Sequence, residues 1–362
     1  MVFNYKIEIL TPTVILSGDK IKSFEIIKDG NKAFVVDFDR LIRNEENFMN
    51  FVINYPEILG DRNNFLNTLK RLNINYKNYI KNEIKGYIKG NTEVSEFVKT
   101  AGRPYIPGSS LKGAIRTFLI KGTQFQGEYE KKFQYLLESK KDNKKDIKKL
   151  VKNIDLKVFG KAVMSPFKLL KVSDSNYLEY NDLKITNIQV YHLLKNKTVL
   201  DLYAEYLDSG KVLNGTIKID DFEKYGNMDF ILRHYYKDPR LIFNDFVKNI
   251  NLGVKRYIEK EKEIVTEQGI EDLKRSYNML EDKLNNLNEN QFLLQLGFST
   301  GFYSKTIFVK NLEAKQVRFL KSILGKRKKN YKPEFFPLTR RVVKKDGVMQ
   351  PLGWIMVTLT KK

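Results

Sequence analysis

Polar and apolar residues alternate from Asn4 to Leu10, with Tyr5, Ile7 and Ile9 on one side, and this period of two predicts an opening strand with one buried face. Thr11-Pro12 ends it, and Ser17-Gly18-Asp19 marks a turn. Lys32 to Phe38 predicts a second strand that runs into Asp39-Arg40-Leu41. From Asn44 to about Ile88 the spacing becomes helical. After the turn-forming run Gly102 to Pro107, apolar Leu111, Ala114, Ile115, Phe118 and Leu119 recur at helical spacing to about Ile120.

Segment 128–161 carries Leu136, Leu137, Ile147, Leu150, Val151 and Ile154 among many lysines, and predicts a charged helical insertion on the surface. Phe167–Ser173, Ile185–Leu194, Val199–Leu207 and Gly215–Ile219 read as strands. Asn251 to Asn290 reads as a helix broken at Gly269. Its apolar seam of Leu273, Tyr277, Leu280, Leu284 and Leu287 fits packing within its own domain or against another chain. Phe292 to Leu296 leads into a glycine-rich loop at 297–306, and a last strand follows Pro351-Leu352-Gly353-Trp354 and ends at Leu359. Strands interrupted by helices in two halves predict an α+β fold with a border near residue 165.

A chain of 362 residues with 42% hydrophobic content and 24 phenylalanines has ample material for a packed core, which excludes a disordered protein. Its 65 Lys+Arg against 43 Asp+Glu give a formal charge of +22, so a polyanion such as nucleic acid is the first partner to consider. Cysteine is absent, which excludes disulfides, thiol catalysis and cysteine-held metal sites. The N-terminus lacks the apolar core of a secretion signal, and no run of about 18 apolar residues exists to span a membrane. A cytoplasmic protein is expected.

Two segments carry chemistry. In Gly102–Thr117, Ser109 or Ser110 is placed to cap a helix by accepting from a free backbone N–H. Lys112 and Arg116 lie four apart on that helix, so the helix start with its two cations fits a phosphate. An ordinary capped helix with solvated charges fits the pattern equally well. In the 297–306 loop, Ser299, Thr300, Ser304 and Lys305 offer donors, while Phe298, Phe302 and Tyr303 can stack on bases or pack inward. The ending Ser304-Lys305-Thr306 is not a Walker A loop. Only three residues separate its glycines, and the lysine does not follow the second one directly.

Four pieces in order resemble one family. They are the strand ending in Thr11-Pro12 with Gly18 after it, Ile106-Pro107-Gly108-Ser109-Ser110-Leu111-Lys112-Gly113-Ala114-Ile115-Arg116, the Gly297–Thr306 loop, and Pro351-Leu352-Gly353-Trp354. Together they resemble the RAMP superfamily of CRISPR RNA-binding proteins, and within it the fifth subunits of type III-A (Csm) effector complexes. Phe167 to Ser175 is similar to those subunits as well. The resemblance implies two ferredoxin-like (RRM-like) domains, at 1–165 with helical insertions near 44–100 and 128–161, and at 166–362 with the 251–290 helical segment. It implies binding at the 3′ end of the guide RNA (crRNA), capping of the backbone filament beside an adjacent backbone RAMP and other Csm subunits, and support of guide maturation by host trimming nucleases. The RNA contacts it implies are Ser109, Ser110, Lys112, Arg116, Ser299, Thr300, Tyr303, Ser304 and Lys305, with Arg103 added by proximity. No cofactor and no metal are expected.

Some RAMPs cut RNA, and two routes are open to this chain. A histidine route has only His192, in an apolar strand-like context, and His234, among cations and phenols. A metal route would use an aspartate among Asp19, Asp29, Asp37 and Asp39, of which Asp37 and Asp39 share a strand face. Neither set has the spacing of a known cage or acid–base pair. A non-catalytic subunit is the expectation.

Overall fold

The computed structural model describes residues 1–29, 32–84, 88–138, 158–159, 165–221, 242–309, 312–324 and 336–362. The first half opens with strands β1 (Val2–Ile9), β2 (Leu16–Ile21), β3 (Ile26–Asp29) and β4 (Lys32–Val36), then helices α1 (Phe38–Asn44), α2 (Glu46–Asn54) and α3 (Arg62–Arg71). Strands β5 (Ile80–Ile84), β6 (Val94–Phe97), β7 (Lys99–Thr100) and β8 (Arg103–Pro104) lead into α4 (Gly108–Gly122) and α5 (Phe125–Glu138). Next come β9 (Leu170–Val172), β10 (Leu183–His192), β11 (Lys197–Leu207) and β12 (Val212–Ile219), then α6 (Phe246–Glu267) and α7 (Glu271–Asn285). The chain continues through β13 (Gln291–Gln295), α8 (Phe302–Lys305), α9 (Ala314–Leu324), β14 (Thr339–Lys345), β15 (Val348–Pro351) and β16 (Trp354–Lys361). This mixture is α+β, as expected.

A five-stranded antiparallel sheet in the order β13-β16-β1-β12-β9 lies at the heart of the main core. The period of two in β1 decides its faces, with Tyr5, Ile7 and Ile9 at most 1% exposed while Asn4 and Lys6 are exposed. Because β1 pairs with β16 on one side and β12 on the other, this sheet runs across the residue-165 position. A six-stranded sheet, β15-β14-β10-β11-β6-β2, also draws strands from both halves.

Helix α4 crosses α6 at near backbone contact. A Cβ on Gly122 would sit 1.7 Å from the Asn249 carbonyl oxygen, and one on Gly253 would sit 2.0 Å from that of Phe118. Only glycine at both positions lets the two helices approach so closely. The expected break at Gly269 is there, with φ +66 between α6 and α7. The seam of α7 packs within the chain, where Leu273, Tyr277, Leu280 and Leu284 join the main core.

Two expectations need correction. The 44–88 segment is helical only to Arg71 and then forms β5, because Ile80–Ile84 finds ladder partners in β4 that local periodicity does not register. Around α1–α3 and the β3-β4-β5 sheet, Leu41, Phe48, Phe65 and Leu69 build a small core of their own. The turn at Ser17-Gly18-Asp19 is an irregularity inside β2, where the pairing with β6 shifts between Leu16 and Lys20 and Gly18 takes φ +106. Of the lysine-rich insertion, residues 139–157, 160 and 161 lie outside the described residues, as does His234.

Candidate nucleic-acid interface

Helix α4 forms because Leu111, Ile115, Phe118 and Leu119 present one fully buried stripe. Its start differs from the expected serine cap, since the N-cap is Pro107 and no side chain of the cap bonds back. The first free N–H is taken by a distant carboxylate, with Gly108 N donating to Asp174 Oδ1 at 2.7 Å. Ile106 N likewise donates to Ser175 Oγ at 2.9 Å, so the Asp174-Ser175 segment does the capping. Gly108 is required there, because a Cβ would come 2.3 Å from the Val172 carbonyl oxygen. An acid thus already meets this helix N-terminus at its first N–H.

The two expected cations do not join the serine face. At about 100° per residue, Ser110, Gly113, Ala114 and Thr117 form one stripe, and Lys112 and Arg116 lie about a third of a turn away. The Arg116 guanidinium sits 5.0 Å from the Phe167 ring centre and 5.8 Å from that of Phe159, and donates to the Tyr129 hydroxyl at 3.4 Å. Burial lowers the pKa of Lys112 from its ordinary value. Arg103, at the end of the β7–β8 hairpin, lies over Tyr177 at 5.3 Å and pairs with Glu179 at 3.5 Å, with both partners of that pair exposed.

The serine stripe instead faces the glycine-rich loop. Ser110, Gly113, Ala114 and Thr117 line one wall of a cleft of about 360 Å³, and Thr300, Ser304 and Lys305 line the other. Backbone packing holds this loop in place. Phe298 N donates to the Val14 carbonyl at 2.6 Å, and Leu296 N donates to that of Gly353 at 2.8 Å. Gly297 (φ +96) and Gly353 (φ +83) have left-handed backbone, and a Cβ on either would fall 2.2 Å from a carbonyl oxygen, of Val14 and Leu296 respectively. The closing Pro351-Leu352-Gly353-Trp354 motif therefore braces the loop, and Val14 braces it from the other side. Thr11-Pro12 holds the closing motif in turn, with Gly353 N donating to the Pro12 carbonyl at 2.9 Å and Trp354 N to Thr11 Oγ1 at 3.0 Å.

Within the loop, several expected donors are turned inward. Ser304 Oγ donates to Thr300 Oγ1 at 2.8 Å, and both residues are buried although they line the cleft. Ser299 is 4% exposed with φ +63, and its hydroxyl has no hydrogen-bond partner. Tyr303 is 2% exposed, and its hydroxyl donates to the Phe336 carbonyl at 2.8 Å, so its ring is closed off from a stacking base. Phe302 stacks against Phe308 and meets Phe336 edge-on, in keeping with inward packing.

Beneath the loop lies a charge cluster with no sequence signal. Lys121 is wholly buried between Phe118 and Tyr257, and its Nζ donates to the Tyr303 carbonyl at 2.5 Å. Burial pushes its pKa down to about 7. Lys260 lies over the Tyr303 ring at 4.5 Å, and burial lowers its pKa to about 8. The neighbouring Glu261 is bound by Arg340 Nε at 2.6 Å.

Arg341 on β14, also absent from the sequence reading, is exposed and lies over the Phe298 ring at 5.9 Å. Partial desolvation beside the cleft first, and the Arg341 guanidinium second, lower the pKa of the exposed Lys305 from the ordinary lysine value. Two cations that repel each other beside a hydroxyl-lined cleft supply the positive potential that attracts a polyanion. The helical spacing of the small residues Ser110, Gly113, Ala114 and Thr117 could have signalled this cleft, but the sequence reading placed Ala114 on the buried apolar stripe; Arg341 carried no signal.

His192 and Asp37 are placed for structural work. His192 Nδ1 accepts from Lys195 N at 3.3 Å and so closes the turn at the β10–β11 tip, and burial, then Lys195, lowers its pKa. Asp37 accepts from Arg40 N at 3.0 Å and caps α1, while Asp39 lies in the first turn of that helix, so the two do not share a strand face as expected. Among the described residues no group of three or more acidic or histidine side chains could hold a metal, and no helix is long and apolar enough to cross a membrane.

Comparison with known proteins adds the lineage. Over 98% of its length the chain is 28% identical to the CRISPR system Cms protein Csm5 of Methanocaldococcus jannaschii, covering 88% of that protein. It is 31% identical over 56% of its length to the Csm5 of Streptococcus thermophilus, covering 60% of that protein. Its fold matches a chain in the cryo-EM structure of a type III-A Csm–crRNA–target RNA ternary complex, with a TM-score of 0.71 at 22% identity over 99% of this chain and 100% of that one. It also matches the crystal structure of T. onnurineus Csm5, with a TM-score of 0.64 at 20% identity over 97% of this chain and 99% of that one. The family model of the RAMP superfamily matches residues 6–304, from the opening strand through the glycine-rich loop to Ser304, and the chain belongs to that superfamily.

Proposed function

We propose that this protein is a non-catalytic RNA-binding subunit of a type III-A CRISPR (Csm) interference complex, which binds the 3′ region of the crRNA, caps the backbone filament and supports crRNA maturation. The observation that carries this reading is the convergence of the two glycine-bearing motifs on one cleft, with Lys305 and Arg341 beside it, in a chain of formal charge +22. Likeness to proteins named Csm5 over nearly the whole chain supports crRNA and other Csm subunits as partners. The adjacent backbone RAMP and host trimming nucleases are the further partners the reading implies, and a cytoplasmic location goes with it.

At the cleft the proposed RNA contacts are Ser110, Thr300, Ser304 and Lys305, joined by Arg341. Ser109, Lys112 and Arg103 extend the contact along the outer flank, where the exposed Arg103–Glu179 pair is weak enough to give way. Ser299 and Tyr303 act on RNA through the shape they give these walls, and Arg116 through its hold on Phe159 and Phe167 at the flank of α4. The capping roles of His192 and Asp37 support the non-catalytic reading over cleavage by a histidine or an aspartate.

The test is a salt-titrated binding assay with labelled guide RNA, with the same samples run on a denaturing gel with and without magnesium. Salt-sensitive binding with intact RNA is expected. Lys305→Ala and Arg341→Ala should each reduce the magnitude of the log–log salt slope by about 0.7, the value for one phosphate contact on a single strand. Discrete cleavage products would overturn the non-catalytic reading, and unchanged slopes in both variants would overturn the site.

A further inference from the structure

The interior of the cleft is ill suited to a phosphate. Lys305 is the one charged residue that lines it among the described residues, and that side chain is exposed. A phosphate drawn inside would lose water without meeting cations, and an uncompensated buried charge is costly. The remaining walls are neutral: Ile15 and Leu16 supply apolar surface, and Ser110 and Thr117 supply hydroxyls. The volume of about 360 Å³ falls in the range of small-ligand sites, about 300–1,000 Å³.

One wall residue is left half-satisfied. Gln295 is 3% exposed, and its Nε2 donates to the Leu352 carbonyl at 2.7 Å. A carbonyl only accepts, so this bond fixes which end of the amide is nitrogen. The other end, Oε1, meets no donor and is closed to solvent, so the amide has to shift slightly to offer it to the cleft. A buried acceptor without a partner is a cost that an arriving N–H or O–H would remove.

We infer that the cleft is a nucleobase pocket. One unstacked base of the bound RNA enters between α4 and the glycine-rich loop, and its phosphates stay outside against Lys305 and Arg341. The base face lies against Ile15 and Leu16, and an N–H on its edge donates to Gln295 Oε1. Adenine, cytosine, guanine and uracil all carry at least one such N–H, so the pocket tolerates any sequence. Gly113 and Ala114 provide the opening, since nothing lies within 4 Å of where a Cβ on Gly113 would stand. The inference rests on the reading of this cleft as the RNA site.

The test compares a normal RNA strand with a fully abasic strand of the same length, which carries the same phosphates, in the wild type and in Gly113→Leu. Leucine at 113 fills the cleft and leaves every cation in place. The affinity ratio of normal to abasic strand is expected to fall about tenfold in Gly113→Leu, the scale of one base–protein contact, with the salt slope unchanged. Ala114→Leu fills the same cleft from the next position and should behave alike, and circular dichroism reports whether each variant keeps its helix content. An unchanged ratio in the folded variants, or a salt slope reduced by about 0.7, would overturn the inference, the latter by putting a phosphate inside. Failure of the RNA reading itself looks different: no salt-sensitive binding of either strand by the wild-type protein.

Discussion

Replacing Gly253 by alanine sets two effects of opposite sign against each other. In an isolated helix the change gains about 1 kcal/mol, because alanine loses less backbone freedom. In α6, however, the new methyl lands 2.0 Å from the Phe118 carbonyl oxygen, where contacts under 3.0 Å are essentially never found. That oxygen belongs to α4 and cannot swing aside as a side-chain end would, so the two helices must part by roughly an ångström or more. Overpacking of this kind costs about 1–3 kcal/mol. Parting α4 from α6 also loosens Phe118, Tyr257 and Trp354, which pack ring to ring at 5.8 Å for each neighbouring pair. A net loss of about 2 kcal/mol is expected, read as a fall of about 0.5–1 M in the urea midpoint by circular dichroism. Gly113→Ala is the matched control, in the middle of α4 with open space around its Cβ, and should gain about 0.5–1 kcal/mol. If Gly253→Ala stabilises the protein as much as the control does, the close crossing of α4 and α6 is wrong.

Two predictions concern pH. Burial tends to raise the Asp208 carboxyl, but hydrogen bonds from Lys184, Lys345 and Ser209 N outweigh it and hold its pKa at about 2. A depressed carboxyl stabilises the fold above its unfolded pKa of about 3.9, and that contribution is lost as pH falls toward 2. Asp208→Asn should therefore cost about 1 kcal/mol at pH 7, allowing for the half-exposed lysine partners, and only a small fraction of that near pH 2, measured by urea unfolding at each pH. A cost that does not shrink on acidification would refute the assignment. Lys121 has the opposite sign, as burial lowers its pKa to about 7, well below the unfolded lysine value of about 10.4. The native state then holds fewer protons than the unfolded one between those values, so wild-type stability should rise relative to Lys121→Met as pH increases from 7 to 10. Parallel stability curves across that window would refute it.

Local order was legible wherever a short-range period decided it. Alternation fixed the faces of β1, helical spacing fixed the buried stripe of α4, and the glycine at 269 marked the break between α6 and α7. The four RAMP motifs were visible as well, because each depends on glycines and prolines whose backbone demands show in the residue itself. Tertiary structure decided what those motifs face. Asp174, far along the chain, took the Gly108 N–H, so that α4 starts at Gly108 with Pro107 as its N-cap and the two serines expected as caps lie inside its first turn. Arg116 turned to aromatic rings, Tyr303 sank into the core, and Lys121, an ordinary surface residue by its type, was buried beneath the loop. Arg341 reached Phe298 across separate elements. Side-chain type and spacing set a residue's capacity for contact, but its partner depends on loop closures hundreds of residues long, and only the packed sheets and helices settle those.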